Sequence, residues 1–273
     1  MKTIYIYCEG PTEESFINAV LYPYFLGMGI YVCPIVCETR RDANRKYRGG
    51  VSRYAKVKNE LMILCKSHPH EYVTTMFDYY AMPSDTPGIS DATPDIFERI
   101  GKIESIINED IGERNCRFHF MLHEFEGILF SEPNTFHLIA NDGIVGEIQR
   151  IRNDFETPEH INNSPETAPS KRLEALIPGY AKVKNGTQLS EAMGLGAIMA
   201  QCPHFKKWIE DMVAWKEENA ILPAQELRAL PPEQTLSAKL LAARNDRKRG
   251  VHYLTAEQVL SDMDRAIAQG SLL

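Results

Sequence analysis

Residues 2–8, Lys2-Thr-Ile-Tyr-Ile-Tyr-Cys8, run without a turn residue into Glu9-Gly-Pro-Thr-Glu13-Glu14. The first half is β-branched and aromatic, the composition of a buried strand. In the second half Gly10 allows a tight turn, Pro11 fixes φ, and Thr12 can cap a helix whose first turn carries Glu13 and Glu14. Phe16, Ile17, Val20, Leu21 and Tyr24 then recur at helical spacing. Glu9 therefore stands where a buried strand gives way to a helix, the usual ligand crevice of an open α/β sheet. Turns at that place commonly cradle phosphate on backbone N–H groups. This one leads with a carboxylate, which suits a hard cation.

Working outward, the same alternation repeats. An apolar run at 30–37 reads as a second strand, and a helix at 51–67 carries Tyr54, Val57, Leu61 and Leu64 on one side. Residues 72–77 read as a third strand ending in Asp78. A loop with prolines and aspartates follows, then a helix opened by Pro94 with Ile96, Phe97, Ile100, Ile103, Ile106 and Ile107 facing inward. Residues 116–122 read as a fourth strand leading into His123-Glu124-Phe-Glu126. Strand–helix alternation over 1–130 predicts an α/β core, a parallel sheet flanked by helices. From 131 to 273 the pattern becomes helical and proline-punctuated, with helices expected near 143–155, over 187–215 as a pair, and at 255–268. That portion is expected to be a mostly helical C-terminal extension packed on the core.

The chain has 273 residues, 44% of them hydrophobic and 25% charged, ordinary values for a globular protein large enough for one substantial core. No apolar run approaches the ~20 residues of a membrane helix, so no membrane association is expected. Six cysteines lie mostly in apolar patterns without a CxxC pair, which suits a reducing, cytoplasmic setting. Net charge is −7, which does not favour non-specific nucleic-acid binding. Local clustering runs the other way: Arg40, Arg41, Arg45, Lys46, Arg48 and Arg53 fall in one loop. Guanidinium groups match phosphate oxygens in pairs, so this loop is a candidate contact to a DNA or RNA backbone. Lys171, Arg172, Lys182 and Lys184 form a second basic set. No Gly-x-Ser-x-Gly, Walker or dinucleotide fingerprint occurs, which sets aside hydrolase-fold and Rossmann oxidoreductase readings.

Three strand tips end in carboxylates: Glu9 after the first, Asp78 after the third, Glu124 and Glu126 after the fourth. In a parallel sheet these tips share one edge, so distant residues can converge there. Like charges gathered in a crevice repel, and a divalent cation relieves the repulsion. Mg2+ (or Mn2+), which keeps waters and takes few carboxylates, fits the set, and no Lys or Arg adjoins these acids in sequence. The bland alternative is that Glu124 and Glu126 simply open a helix at Gly127, where acids favour the dipole.

Strand-Glu9-Gly-Pro-Thr-Glu13 resembles the opening of the Toprim domain as found in overcoming-lysogenization-defect (OLD) family nucleases. The chain is also similar to an uncharacterised bacterial Toprim-like family often encoded beside AAA-type ATPases. The shared features are Arg48-Gly-Gly50 followed by Tyr54, Phe77-Asp78-Tyr79, Glu124-Phe-Glu126-Gly-Ile-Leu-Phe130, Pro169-Ser-Lys171-Arg172-Leu, Pro178-Gly-Tyr-Ala-Lys182 and Cys202-Pro-His204-Phe-Lys-Lys-Trp208. The resemblance implies that Glu9 is the first-strand acid and Asp78 the first acid of the Asp-x-Asp pair. The second acid of that pair falls on Tyr80. That departure implies one ion instead of two, a substitute ligand such as Glu126 or Asp85, or a degenerate catalytic site.

The expectation is a metal-dependent nuclease in which Glu9, Asp78 and Glu126, with Glu124 nearby, hold the ion and Glu13 positions water. An ATPase partner and a part in phage defence come with the resemblance. The rival reading is a non-catalytic module that binds nucleic acid or a partner, and a weaker third is small-molecule phosphotransfer. His123 is the best placed of the histidines for acid–base work, while His119 reads as packed. Trp208 and Trp215 are candidate docking anchors, or core.

Overall fold

The computed structural model describes residues 2–42, 45–48, 53–162 and 167–220, with the side chains of 38–48 and 218–220 left aside. Met1–Lys216 forms one compact unit and Glu217–Leu273 another. The first unit is an α/β fold. Strand β1 (Lys2–Cys8) is followed by α1 (Pro11–Phe16), a π-helical segment (Ile17–Leu21) and α2 (Tyr22–Gly27). Pro23 explains the widened turn: it lacks an N–H, and its ring would strike the carbonyl four residues back. Strand β2 (Ile30–Val36) pairs parallel to β1, with Cys8 opposite Val36.

The basic stretch at 40–53, read as a loop, begins as an antiparallel ribbon of β3 (Glu38–Asp42) and β4 (Arg45–Arg48). The side chains of Arg40, Arg41, Arg45, Lys46 and Arg48, the Gly49-Gly50 turn, and the segment holding the expected 255–268 helix lie outside the described residues. Next come α3 (Tyr54–Ser67), β5 (Tyr72–Asp78) and α4 (Ile96–Ile111). Helix α4 is capped by Asp95, which accepts from the Glu98 N–H at 2.8 Å, and it buries Ile100, Ile103, Ile107 and Ile111. Ile106, expected to face inward, is instead exposed, being turned away from that stripe.

The fourth strand differs from expectation. It is two short pieces, β6 (Cys116–Arg117) and β7 (Phe120–Met121), each parallel to β5. Between them the Thr75 hydroxyl accepts from the His119 N–H and donates to the His119 carbonyl, both at 2.8 Å. A side chain thus takes the hydrogen bonds a ladder would supply. The sheet order is β2-β1-β5 with β6 and β7 beyond β5. From β1 the chain moves first to one side and then back past it to the other. The topological switch point, where such sheets bind ligands, is therefore between the ends of β1 and β5.

The remainder is helical: α5 (Asp142–Asn153), α6 (Pro169–Leu176), α7 (Lys182–Gln201, kinked at Gly194 with φ 75°) and α8 (Pro203–Ala220), joined by 3₁₀ turns including Phe125–Ser131. One face of β1 (Ile4, Ile6, Cys8) packs with Phe16, Phe125, Leu189, Phe205 and Trp208 in a single core. The other face (Tyr7, with Val73 and Phe77 of β5) packs on α3 and α4. Residues 131–216 thus share their core with the strands. Trp208 is 3% exposed and donates from Nε1 to Thr74 Oγ1 at 2.9 Å, and Trp215 is half-buried with its ring 5.3 Å from Tyr72. Both take part in the packing of α8 on the sheet; Trp208 is thereby core, while Trp215 keeps part of its surface at solvent. Among the described residues no helix is long and apolar enough to cross a membrane.

Candidate active site

The switch point is built by backbone geometry. The Glu9 N–H donates to the Met76 carbonyl at 3.3 Å, tying the end of β1 to β5. Gly10 is extended (φ −157°), a conformation open to any residue; Gly10, not Thr12, stands at the helix N-cap, and what it supplies is an N–H. That N–H donates to Glu13 Oε2 at 2.8 Å, folding Glu13 back against the turn with only 6% of its surface exposed. Asp78, at the end of β5, accepts from the Phe125 N–H at 2.8 Å. Glu124 accepts from the Ser170 N–H at 3.0 Å, which draws the first turn of α6 to the crevice. Glu126, in the 3₁₀ turn, is 2% exposed.

The charges of these acids act on one another. Burial, then the charges of Glu13, Glu9, Glu126 and Glu124, push Asp78 well above the usual carboxylate range, although part of its surface reaches solvent. Burial and the Glu13 charge raise Glu9 to about 7, against the pull of the Asp78 N–H and Lys182. Glu126 is raised to about 7 by burial, with Lys182 opposing. Glu13 is also raised by burial. Glu9 Oε2 and Glu126 Oε1 are buried without a hydrogen bond. Glu13, expected to be a peripheral helper, is thus the charge most strongly felt by both Asp78 and Glu9.

Three expectations change here. Lys182, assigned to nucleic-acid binding, has its Nζ 3.6 Å from Glu126 Oε1, an ion pair just beyond hydrogen-bond reach. The acids are therefore not free of a neighbouring cation: α7 delivers one from far along the chain. Asp85, considered as a substitute ligand, accepts from the Tyr54 N–H at 3.2 Å and so serves the start of α3. Tyr80, in the place of the second acid, is largely exposed and bonded to Asn162. Of the other basic residues, Lys171 pairs with Glu174 at 2.7 Å while still sensing Glu124 and Glu126. Arg172 donates from Nε to the Thr167 carbonyl at 2.7 Å and lies over the Phe155 ring, so part of its guanidinium is already engaged within the chain.

His123 is buried beside the crevice with φ 64°, a left-handed backbone uncommon for a side chain of this size. Burial lowers its pKa to about 4, so it is neutral at pH 7 and a weak base there. Ser170, within the quoted Pro169-Ser-Lys171 stretch, was not singled out from sequence. Its buried Oγ lacks a hydrogen bond, and its N–H fixes Glu124.

Hard oxygen donors with unsatisfied buried lone pairs fit magnesium or manganese. Among the described residues, however, the three ligating side chains drawn within 4.8 Å of one another lie elsewhere, at Glu104, His119 and His204. The acidic crevice is wider and would take an ion that keeps part of its water shell. Comparison with curated proteins and with solved structures returned no match. A family model does match residues 8–213, a span that holds every acid of the crevice and Lys182. The chain belongs to the family described as Domain of unknown function (DUF4276).

Proposed function

We propose that the crevice between the ends of β1 and β5 is the site of a magnesium- or manganese-dependent phosphodiester hydrolase acting on nucleic acid. The observation that carries this reading is the set of buried carboxylates at the switch point, two of whose oxygens, Glu9 Oε2 and Glu126 Oε1, have no hydrogen-bond donor. Glu9, Asp78 and Glu126 would hold the cation, with Glu124 beside them. When bound, the ion supplies an activated water and charge relief at the scissile phosphate. The chain supplies the rest. Glu9 and Glu126, raised to about 7, can gain or lose a proton near neutrality. Glu13 braces the turn through the Gly10 N–H. Lys182, 42% exposed, stands at the rim where a phosphate oxygen would replace Glu126 as its partner.

Acids after the first strand and at the end of β5 are what the resemblance to Toprim domains of OLD-family nucleases implies, and their placement supports it. The same resemblance carries the proposal of an AAA-type ATPase partner and a part in phage defence. Six free cysteines, five of them buried, suit a cytoplasmic setting. One observation favours a second reading, a binding module without catalysis: Tyr80 stands where the pair's second acid would be and turns to Asn162.

Cleavage of plasmid DNA, single-stranded DNA and RNA in manganese decides between them. The hydrolase reading expects cleavage by the wild type and none by Glu9→Gln or Asp78→Asn. Nucleic-acid binding without cleavage in any of the three would give the second reading the field.

A further inference from the structure

At the β6–β7 edge of the sheet, between α4 and α8, a second constellation lies apart from the acidic crevice. Glu104 comes from α4, His119 from the break between β6 and β7, and His204 from the first turn of α8. His204 Nε2 is 3.0 Å and His119 Nδ1 3.6 Å from the same oxygen, Glu104 Oε1. One ligand atom from each of the three residues lies within 4.8 Å of the others. Across a tetrahedral zinc ion with bonds near 2.0–2.1 Å, neighbouring ligand atoms are about 3.3 Å apart. The two distances to Glu104 bracket that value, and the set as a whole closes to within 4.8 Å.

Each side chain is held from behind. Glu104 Oε1 also accepts from the Phe120 N–H at 2.8 Å. His119 is gripped through its backbone by Thr75, and its ring stacks on Trp208 (4.5 Å) and on His204 (4.7 Å). The N–H groups of His204 and Phe205 donate to the two oxygens of the buried Glu159, at 3.0 and 2.9 Å. Such pre-placement is what a metal site requires of its surroundings.

The arrangement is poorly satisfied as an all-protein network. His119 is 4% exposed, its Nε2 has no hydrogen-bond partner, and Nδ1 is beyond hydrogen-bond reach of Glu104. With its proton on Nε2 the ring leaves a buried N–H unpaired, a penalty of about 1–3 kcal/mol, and with it on Nδ1 the buried Nε2 lone pair has no donor. Burial holds His119 well below the usual histidine range, so its ring is neutral and has a lone pair to give. For His204 burial opposes protonation, but Glu104 and Glu159 outweigh it and raise the pKa. A cation would displace that proton. All three residues line an open groove of about 1160 Å³, whose other walls include Phe97, Ser105, Asn108, Arg117 and Lys207.

We propose that Glu104, His119 and His204 bind a zinc-class divalent cation, with an open coordination position facing this groove. Two imidazoles and one carboxylate form a donor set that leaves a fourth place for water or a ligand oxygen. The ion would also link α4, the broken strand and α8.

The test uses the full chain, freed of metal and titrated with zinc chloride. With excess magnesium chloride present to occupy the acidic crevice, one zinc per chain is expected, with affinity lowered about 100-fold or more in Glu104→Gln and His204→Gln and unchanged in Glu98→Gln, an exposed α4 residue paired with Lys102. Zinc-edge X-ray absorption of the wild type reads the ligands without any variant, and should show two imidazoles, oxygen donors and no sulfur. No zinc binding, a sulfur-containing shell, undiminished binding in both site variants, or an equal loss of binding in Glu98→Gln would each overturn the proposal.

Discussion

Replacing Glu9 by Gln removes one charge from the crevice, and its effect on stability can be worked from the structure. The carboxyl ionises near 4.5 in an ordinary setting and at about 7 in the folded chain, because burial and Glu13 disfavour its charge. A folded pKa raised above the unfolded value contributes stability that is fully present below about 4.5. It is lost as pH rises through about 7. The difference is worth about 3 kcal/mol at pH 8. Gln cannot ionise and escapes this loss, so Glu9→Gln should equal the wild type near pH 4.5 and exceed it by about 3 kcal/mol at pH 8. For a chain of this size that corresponds to a melting temperature roughly 5–10 °C higher. Relief of Asp78, whose pKa the Glu9 charge also raises, acts in the same direction. Urea denaturation in EDTA across pH 4–9, wild type against variant, makes the measurement. Titrating groups away from the crevice are common to both chains and cancel. A variant no more stable than wild type at pH 8, or one whose advantage is the same at both ends of the range, would refute the reasoning.

Four further outcomes follow from the same geometry. Magnesium or manganese should raise the melting temperature of the wild type and not of Asp78→Asn. At pH 7 the binding heat should vary with the ionisation enthalpy of the buffer, because Glu9 and Glu126, at about 7, must shed protons to bind. Lys182→Gln removes the competing cation 3.6 Å from Glu126, so calorimetry should show magnesium binding up to about fivefold tighter, the scale of a part-exposed ion pair. Gly186→Ala places a Cβ 3.1 Å from Phe125 Cε1 and should cost about 1–3 kcal/mol in urea denaturation by pushing α7 off the 3₁₀ turn.

Much of the fold was legible because its signals are local. Lys2 to Cys8, the turn after it and the tip at Asp78 follow from composition and punctuation, and a parallel sheet then puts the acids on one edge. What was illegible depends on groups far apart in sequence. Lys182 reaches Glu126 because Gly186 lets α7 approach Phe125, and no spacing in the sequence announces that contact. The strand expected at 116–122 is broken by the Thr75 hydroxyl, which lies more than forty residues away. Asp85 reads as a free acid until the start of α3 is seen to use it. The Glu104, His119 and His204 set comes from three separate places: a helix, the break between β6 and β7, and the first turn of another helix. Nothing in their spacing resembles a metal motif, and single-sequence reading had no means of joining them.

The broken strand beyond β5 bears on how this protein can meet others. A sheet edge is ordinarily an invitation: a row of free N–H and C=O groups on which another chain can add a strand. Here one flank is two fragments of two residues each. At the opposite flank β2 carries Pro34, which removes a donor from its row. Neither border offers an unbroken template. The sheet is therefore guarded against edge-to-edge aggregation, and recognition by strand addition to it is closed off. A partner of this unit must read side chains and helix surfaces.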